Sequence, residues 1–322
     1  MATVDVIANR STASEILGKA YFETDTNSFI VYNGIGWVEL QSDGTGSAAL
    51  ENRLAASFDG TNDYLSLGNL GTAGHSLGAI SMWVNATNQI EAGNGSNLGY
   101  IFGFNASTDG TDSSSDWDGL QYGYFSGAGD ILALRIGGGI VMKWTVSSGD
   151  KLPAGWHNIV VTHNGTGYTL YVDGVIATSN ALGGSITTEP EAILSGTSFD
   201  SFRMAAKGYG TSSLYPFQGL IDEVAVFDSA LSASNITDIY NGGVPGNLSS
   251  LNPAGWWRMG DDSNDSGTAG GSIATITDSS GNGNDASQST ASNQPTFKAL
   301  DQATTSLSFD GVNDYIQTTG LS

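Results

Sequence analysis

Three sets of residues in this 322-residue chain have types and spacings suited to chemistry. The first, Gly74-His75-Ser76-Leu77-Gly78, fits G-x-S-x-G, which holds a nucleophilic serine on a sharp turn between a strand and a helix. The next residues are Ala79-Ile80-Ser81-Met82-Trp83-Val84, alternating and rich in strand formers, and the chain offers no crossover helices. The serine is therefore expected in a plain loop. The second set is the histidines. His157 and His163 fall on one expected strand, separated by roughly 20 Å at ~3.3 Å per residue, too far to share a metal. With Ile159 and Val161 on the same face they read as ordinary sheet positions, and His75 as a loop residue. The third set is Asp222-Glu223. Neighbours on a strand point to opposite faces, Leu220, Val224 and Val226 going with Asp222 and Ile221, Ala225 and Phe227 with Glu223. One carboxylate is thus expected on an inward face, where a charge is costly unless paired, hydrogen-bonded or bound to metal.

A fourth segment is built for binding rather than catalysis. Asp109 to Gly119 is long and acidic, departs from the EF-hand spacing, and carries Trp117. With Tyr122 and Tyr124 this tryptophan forms a candidate ligand rim for stacking on a sugar; the plainer reading is a solvated loop next to core aromatics.

The elements that must position these residues are strands. With 45 Gly, 6 Pro and only 13% charged residues, the composition predicts short strands joined by many turns, an all-β class. Strand-like runs include 79–84, 99–104, 120–125, 131–136, 140–144, 156–163, 168–172 and 217–227, and Asp173-Gly174 marks a two-residue hairpin into Val175-Ile176-Ala177. One helix is expected, opened by Ser232, carried by Ile236, Ile239 and Tyr240 and closed by Gly242.

A net charge of −22 excludes a phosphate backbone as partner, while its carboxylates suit hard cations such as calcium. The absence of cysteine excludes disulfides, thiolate chemistry and Cys-ligated zinc. Met1 to Gly18 has no apolar signal core, and no window approaches the ~18 apolar residues of a membrane span, so synthesis in a cytoplasm without export and no membrane insertion are expected.

Ser57-Phe58-Asp59-Gly60-Thr61-Asn62-Asp63-Tyr64 recurs as Ser308-Phe309-Asp310-Gly311-Val312-Asn313-Asp314-Tyr315, an internal repeat that sets the domain boundaries. The expected organisation is an N-terminal β-meander over 1–43 for anchoring and oligomerisation and a linker over 44–54. A main domain over 55–250 and a flanking segment with the first strand of a second copy over 251–322 complete it, in a chain that continues beyond Ser322. The stretch 255–285 either closes the first domain or opens the second.

Taken in order, Phe58-Asp59-Gly60 with Asp63-Tyr64, Ser81-Met82-Trp83-Val84, Trp156-His157-Asn158-Ile159-Val160, Leu170-Tyr171-Val172-Asp173-Gly174, Gly219-Leu220-Ile221-Asp222-Glu223-Val224 and Leu231-Ser232 resemble a laminin-G-like, concanavalin A-like jelly roll. The resemblance implies two antiparallel sheets packed face to face, with glycan or protein bound at the loops. It also implies a structural calcium, here on Asp59, Asp63 and Asp222, the alternative being carboxylates hydrogen-bonded to backbone in the same turn. Glycoside hydrolases share the fold, but they need two carboxylates on one face, and adjacent Asp222 and Glu223 do not supply them; no catalytic residue is expected. Lys19-Ala20-Tyr21-Phe22-Glu23-Thr24 with Gly36-Trp37-Val38 resembles a module of phage tail-fibre and other virion proteins. Together these imply a non-enzymatic virion protein, a fibre or capsid-decorating appendage. It would meet other virion proteins through 1–43, oligomerise, by analogy as a trimer, and display a lectin-like domain to host surface glycan. A secreted carbohydrate-active enzyme or binding module, and a purely structural cement protein, are the alternatives.

Overall fold

The computed structural model describes the backbone of four strands before residue 41. Beyond them it describes residues 52–67, 70, 78–86, 97–105, 118–125, 129–136, 139–145, 155–163, 167–177, 201–207 and 215–300. Residues up to Leu50 and residues Glu51–Gln302 fall into separate compact units. In the first, β1 (Asp5–Ile7), β2 (Ala20–Glu23), β3 (Ser28–Tyr32) and β4 (Trp37–Leu40) form one sheet in that order. β2 to β4 make an antiparallel meander, to which β1, too short to carry a periodic signal, adds in parallel.

The second unit contains β5 (Leu54–Asp59), β6 (Leu65–Ser66), β7 (Ala79–Asn85), β8 (Asn97–Asn105), β9 (Asp118–Phe125), β10 (Gly129–Ile136) and β11 (Gly139–Thr145). Next along the chain are β12 (His157–His163), β13 (Tyr168–Val172), β14 (Val175–Ile176), β15 (Ser201–Met204) and β16 (Gln218–Phe227). After α1 (Ala233–Tyr240) come β17 (Gly255–Trp257), β18 (Thr275–Ile276), β19 (Ala286–Ser287) and β20 (Thr296–Ala299). The front sheet has the order β11-β10-β9-β8-β15-β6-β19-β18; the back sheet has the order β14-β13-β12-β7-β16-β5-β20, with β17 also on β16. Among the described residues every pairing between strands of this unit is antiparallel, and the two sheets form the sandwich of a jelly roll. Residues 255–300 supply strands to both sheets, so they belong to the sandwich that β5 opens. The repeat copy at 308–315 lies outside the described residues.

The core follows from alternation. Ile80, Met82 and Val84 of β7 and Ile159 and Val161 of β12 face Phe102, Leu120, Tyr122, Leu132, Phe202 and Met204 of the front sheet in one apolar cluster. Each large side chain buried there contributes roughly 1.5–3 kcal/mol. β7 is buried on both faces because α1 covers the other side: Ile236 and Ile239 are buried, and Tyr240 stacks on Trp83 with ring centroids 6.0 Å apart. The helix starts as expected, with the Ser232 side chain accepting from the Asn235 N–H, but closes on Asn241 in the left-handed region rather than on Gly242. The Asp173-Gly174 hairpin forms with φ of 51° and 75°, and a Cβ on Gly174 would press on the Tyr240 ring at 3.1 Å.

β16 departs from strict alternation. Asp222 pairs with Trp83 and Ala225 with Ser81, so Glu223 and Val224 together oppose Met82, and Glu223 takes φ 46°. This bulge corrects the face assignment drawn from period two: Ile221, Val224 and Val226 all enter the core, because the extra residue shifts the parity by one. A non-glycine residue in that conformation costs on the order of 1–3 kcal/mol and persists only when its surroundings hold it.

Candidate functional site

On the edge of β16 away from β7 the neighbour changes. β5 pairs with Gln218 to Ile221, β17 takes over from Val224 to Val226, and Asp222-Glu223 occupy the gap between them. Both carboxylates are buried, 1% and 2% exposed. The bulge frees the Glu223 N–H, which donates to Asp222 Oδ1 at 2.8 Å. Glu223 Oε2 accepts from the Trp256 indole at 2.6 Å and Oε1 from Arg258 Nε at 3.1 Å. Past β17, Met259 and Gly260 take φ of 45° and 104°, reversing the chain; a Cβ on Gly260 would meet Phe297 at 2.7 Å and Leu54 at 2.9 Å. The reversal brings in Asp261, whose Oδ2 accepts from the N–H groups of Arg53 at 2.7 Å and Leu54 at 3.1 Å, covering donors that the gap leaves without a strand partner.

Three carboxylates therefore meet in one buried cluster beside Arg258, while the Arg53 guanidinium, 3.6 Å from Asp261, stays largely in solvent. Burial raises the pKa of Glu223 to about 7 against the pull of Arg258 and Trp256. Burial, with the charges of Glu223 and Asp261 adding, holds Asp222 well above the usual carboxylate range, and burial raises Asp261 against its two backbone donors. Asp222 Oδ2 and Asp261 Oδ1 accept no hydrogen bond. One part-buried guanidinium faces three carboxylates, and burial raises all three of their pKa values.

The calcium ligands expected on Asp59, Asp63 and Asp222 are not brought together. Asp59 pairs across to Gln218, and Asp222 stands four residues further along β16, about 13 Å away. The acids of the Phe58-Asp59-Gly60 turn hold backbone instead: Asp59 Oδ1 accepts from Thr61 N–H at 2.7 Å, and Asp63 Oδ2 from Asp59 N–H at 3.0 Å. Asn62 ties the same turn to Ser292 and Asn293, and Arg203 lies 4.5 Å over the Tyr64 ring. Among the described residues no group of three or more His, Cys, Asp or Glu converges as a metal site.

Of the expected rim, Trp117 and the Tyr124 side chain lie outside the described residues. Tyr122 is 2% exposed and belongs to the core, because on β9 it shares parity with Leu120; its ring does not face a ligand. His157 Nδ1 sits 2.7 Å from Asp173 Oδ2, clamping the β12–β13 hairpin, and buried His163 packs on Tyr168 with its pKa lowered by burial. Gly74 to Leu77 fall outside the described residues, and β7 begins at Ala79 as expected.

The residues that sequence reasoning missed lie in the last fifty of the described chain. Asp278 Oδ1 accepts from the N–H groups of Trp256 at 2.9 Å and Ser280 at 3.0 Å, its Oδ2 from Asn284 N–H at 2.9 Å, and Asp285 Oδ1 from Asp278 N–H at 2.9 Å. The signal was present in Asp278-Ser279-Ser280-Gly281-Asn282-Gly283-Asn284-Asp285, a run of residues that bond their own backbone in turns.

Known proteins share this architecture. Residues 59–237 match the laminin-G family described as the concanavalin A-like lectin/glucanases superfamily. The crystal structure of a protein from Bacteroides ovatus assigned as carbohydrate binding aligns with 89% of this chain and 70% of its own, at 16% identity and a TM-score of 0.50. A heptameric SAP-like pentraxin from Limulus polyphemus aligns over 61% of this chain and 86% of its own, at 14% identity and a TM-score of 0.41. Domain 4 of AbnA, a GH43 extracellular arabinanase from Geobacillus stearothermophilus, in complex with arabinotriose, aligns over 58% and 76%, at 18% identity and a TM-score of 0.37. No curated protein sequence matches. At these identities the structural likeness speaks for the fold alone, but the family match runs through more than half of the sequence, from the Asp59 turn to the helix that covers Trp83, and this chain belongs to the concanavalin A-like lectin/glucanases superfamily.

Proposed function

We propose that this chain is a non-enzymatic attachment protein of a bacteriophage particle, in which the laminin-G-like sandwich is displayed outward to bind surface glycan. Residues 1–43 would join it to other virion proteins, and the displayed form would be a homo-oligomer. The observation that carries the binding half is the fate of the β16 carboxylates. Hydrolysis of a glycoside needs an acid and a second carboxylate facing the substrate. Asp222 and Glu223 are instead buried, the first accepting from the Glu223 backbone N–H and the second locked to Trp256 and Arg258. Acids spent on holding strands together suit a surface that binds without turnover. The virion half rests on the strand pattern of residues 19–38 and on the absence of cysteine. No helix among the described residues is long and apolar enough to cross a membrane.

Mass spectrometry and imaging of purified particles test the virion half: a stoichiometric position with residues 1–43 at the attachment point is expected. Incubating the purified chain with polysaccharides tests the other half. Release of reducing ends, together with absence from particles, would replace this reading with that of a carbohydrate-active enzyme.

A further inference from the structure

We infer that a neutral oligosaccharide binds in the cleft between the Asp278 turn and the end of β16, away from the β8–β9 rim suggested by the sequence. This rests on the glycan-binding reading above and gives it a site and a ligand class. The cleft holds about 670 Å³, within the ~300–1,000 Å³ of small-ligand sites. It is lined by Ser249, Asn252, Asn282 and Asn284, with Asp228 and the nearly buried Leu70 and Trp256. No Lys or Arg lines it among the described residues, and the chain carries a net charge of −22, so an anionic ligand meets repulsion without a partner. A single carboxylate does not make a cation site. What remains is a ligand that is uncharged and rich in hydroxyls, matched to a lining of Ser and Asn residues.

The walls are held before any ligand arrives. Asn282 Nδ2 donates to the carbonyls of Pro253 at 3.2 Å and Ala254 at 3.1 Å, and Asn284 Nδ2 to Ala254 at 3.0 Å. Both amides are thereby fixed with their carbonyl oxygens unengaged among the described residues, ready to accept from hydroxyls. The turn that carries them is pinned by Asp278, and the Trp256 ring is fixed from behind by Glu223. Trp256 is thus common to the buried acid cluster and the cleft. Groups ordered in advance cost no ordering entropy on binding.

The test uses the purified full chain on a printed array of neutral, sialylated and sulfated oligosaccharides, then calorimetric titration with the best neutral binder. Ser249 is exposed and its side chain makes no hydrogen bond among the described residues, so Ser249→Trp fills the cleft without disturbing the fold. A wild-type signal on neutral glycans that falls at least tenfold in Ser249→Trp, at unchanged melting temperature, is expected. If that variant melts early, Ser249→Lys replaces it. Equal binding by wild type and variant, or binding confined to anionic glycans, overturns the cleft and leaves glycan attachment standing. No binding to any glycan by the wild type overturns both.

Discussion

The Asp278 turn and the Asp222 bulge are each organised around a buried aspartate, 5% and 1% exposed, and they are built in opposite ways. Asp278 receives three backbone N–H groups on its two oxygens. Asp222 receives one backbone N–H, with the Asn52 side chain as a further partner. The difference lies in what surrounds them. A turn has spare N–H groups because no ladder uses them, so a carboxylate can collect several at once. A strand has none to spare, and β16 frees a single N–H only by bulging. The comparison teaches that depth alone does not decide whether a buried acid stabilises; the local supply of unclaimed donors does. Where that supply fails, the chain turns to distant groups, here Trp256 and Arg258.

Removing the turn's carboxylate should have the largest effect. Asp278→Ala leaves three N–H groups without their acceptor and is expected to cost on the order of 3 kcal/mol in urea unfolding, at ~1 kcal/mol or more per lost bond. A loss below about 1 kcal/mol would show that water replaces the carboxylate and that the two aspartates are alike after all.

Next is the support of the bulge. Trp256→Phe keeps an aromatic side chain but removes the indole N–H from Glu223 and shortens a buried ring, for a combined loss of about 2 kcal/mol or more. If stability is unchanged, neither that bond nor the packing of the indole holds the Glu223 conformation.

The smallest and most discriminating effect concerns charge. Glu223 titrates near 7 in the folded chain against 4.5 for a free side chain, so between those values the folded state binds more protons than the unfolded one. Stability contributed in this way is present at low pH and lost as pH rises from about 5 to about 8, the raised Asp222 and Asp261 acting in the same sense. Asp222→Asn keeps an acceptor for the Glu223 N–H, removes one charge, and should flatten that slope while changing stability at pH 8 by about +1 kcal/mol or less. A melting temperature independent of pH, or one that responds to added calcium chloride in the wild type and not in Asp222→Asn, would mean that a bound cation and not a proton balances the cluster.

The regular parts of the fold were legible because their signals are local. Alternation in 79–84 and 157–163 gave β7 and β12, Asp173-Gly174 gave the hairpin, and Ser232 gave the start of α1. The bulge was not legible. Its left-handed residue is a glutamate, and what holds it, Trp256 and Arg258, lies more than thirty residues along the chain, at separations of 33 and 35. Asp261 reaches Arg53 across 208 residues, and no pattern within one segment reports such a partner. Strands of two residues, β18 and β19, are too short to show a period, so the share of 255–300 in both sheets came only with the structure. Chemistry makes Tyr122 a rim candidate and the plainer reading a core aromatic; the parity it shares with Leu120 puts it in the core.

The position of β5 also fixes when the sandwich can form. It is the first strand of its sheet in the chain, yet its two neighbours are β16 and β20, at residues 218–221 and 296–299. During synthesis both edges of β5 stay unpaired while the intervening strands emerge, and native closure waits for the last of them. Pairing over such sequence distances is slow, and an open apolar strand in the interval is prone to join another copy. Nascent chains halted before residue 296 should therefore remain protease-sensitive at β5 and associate with one another, whereas chains released past residue 300 close.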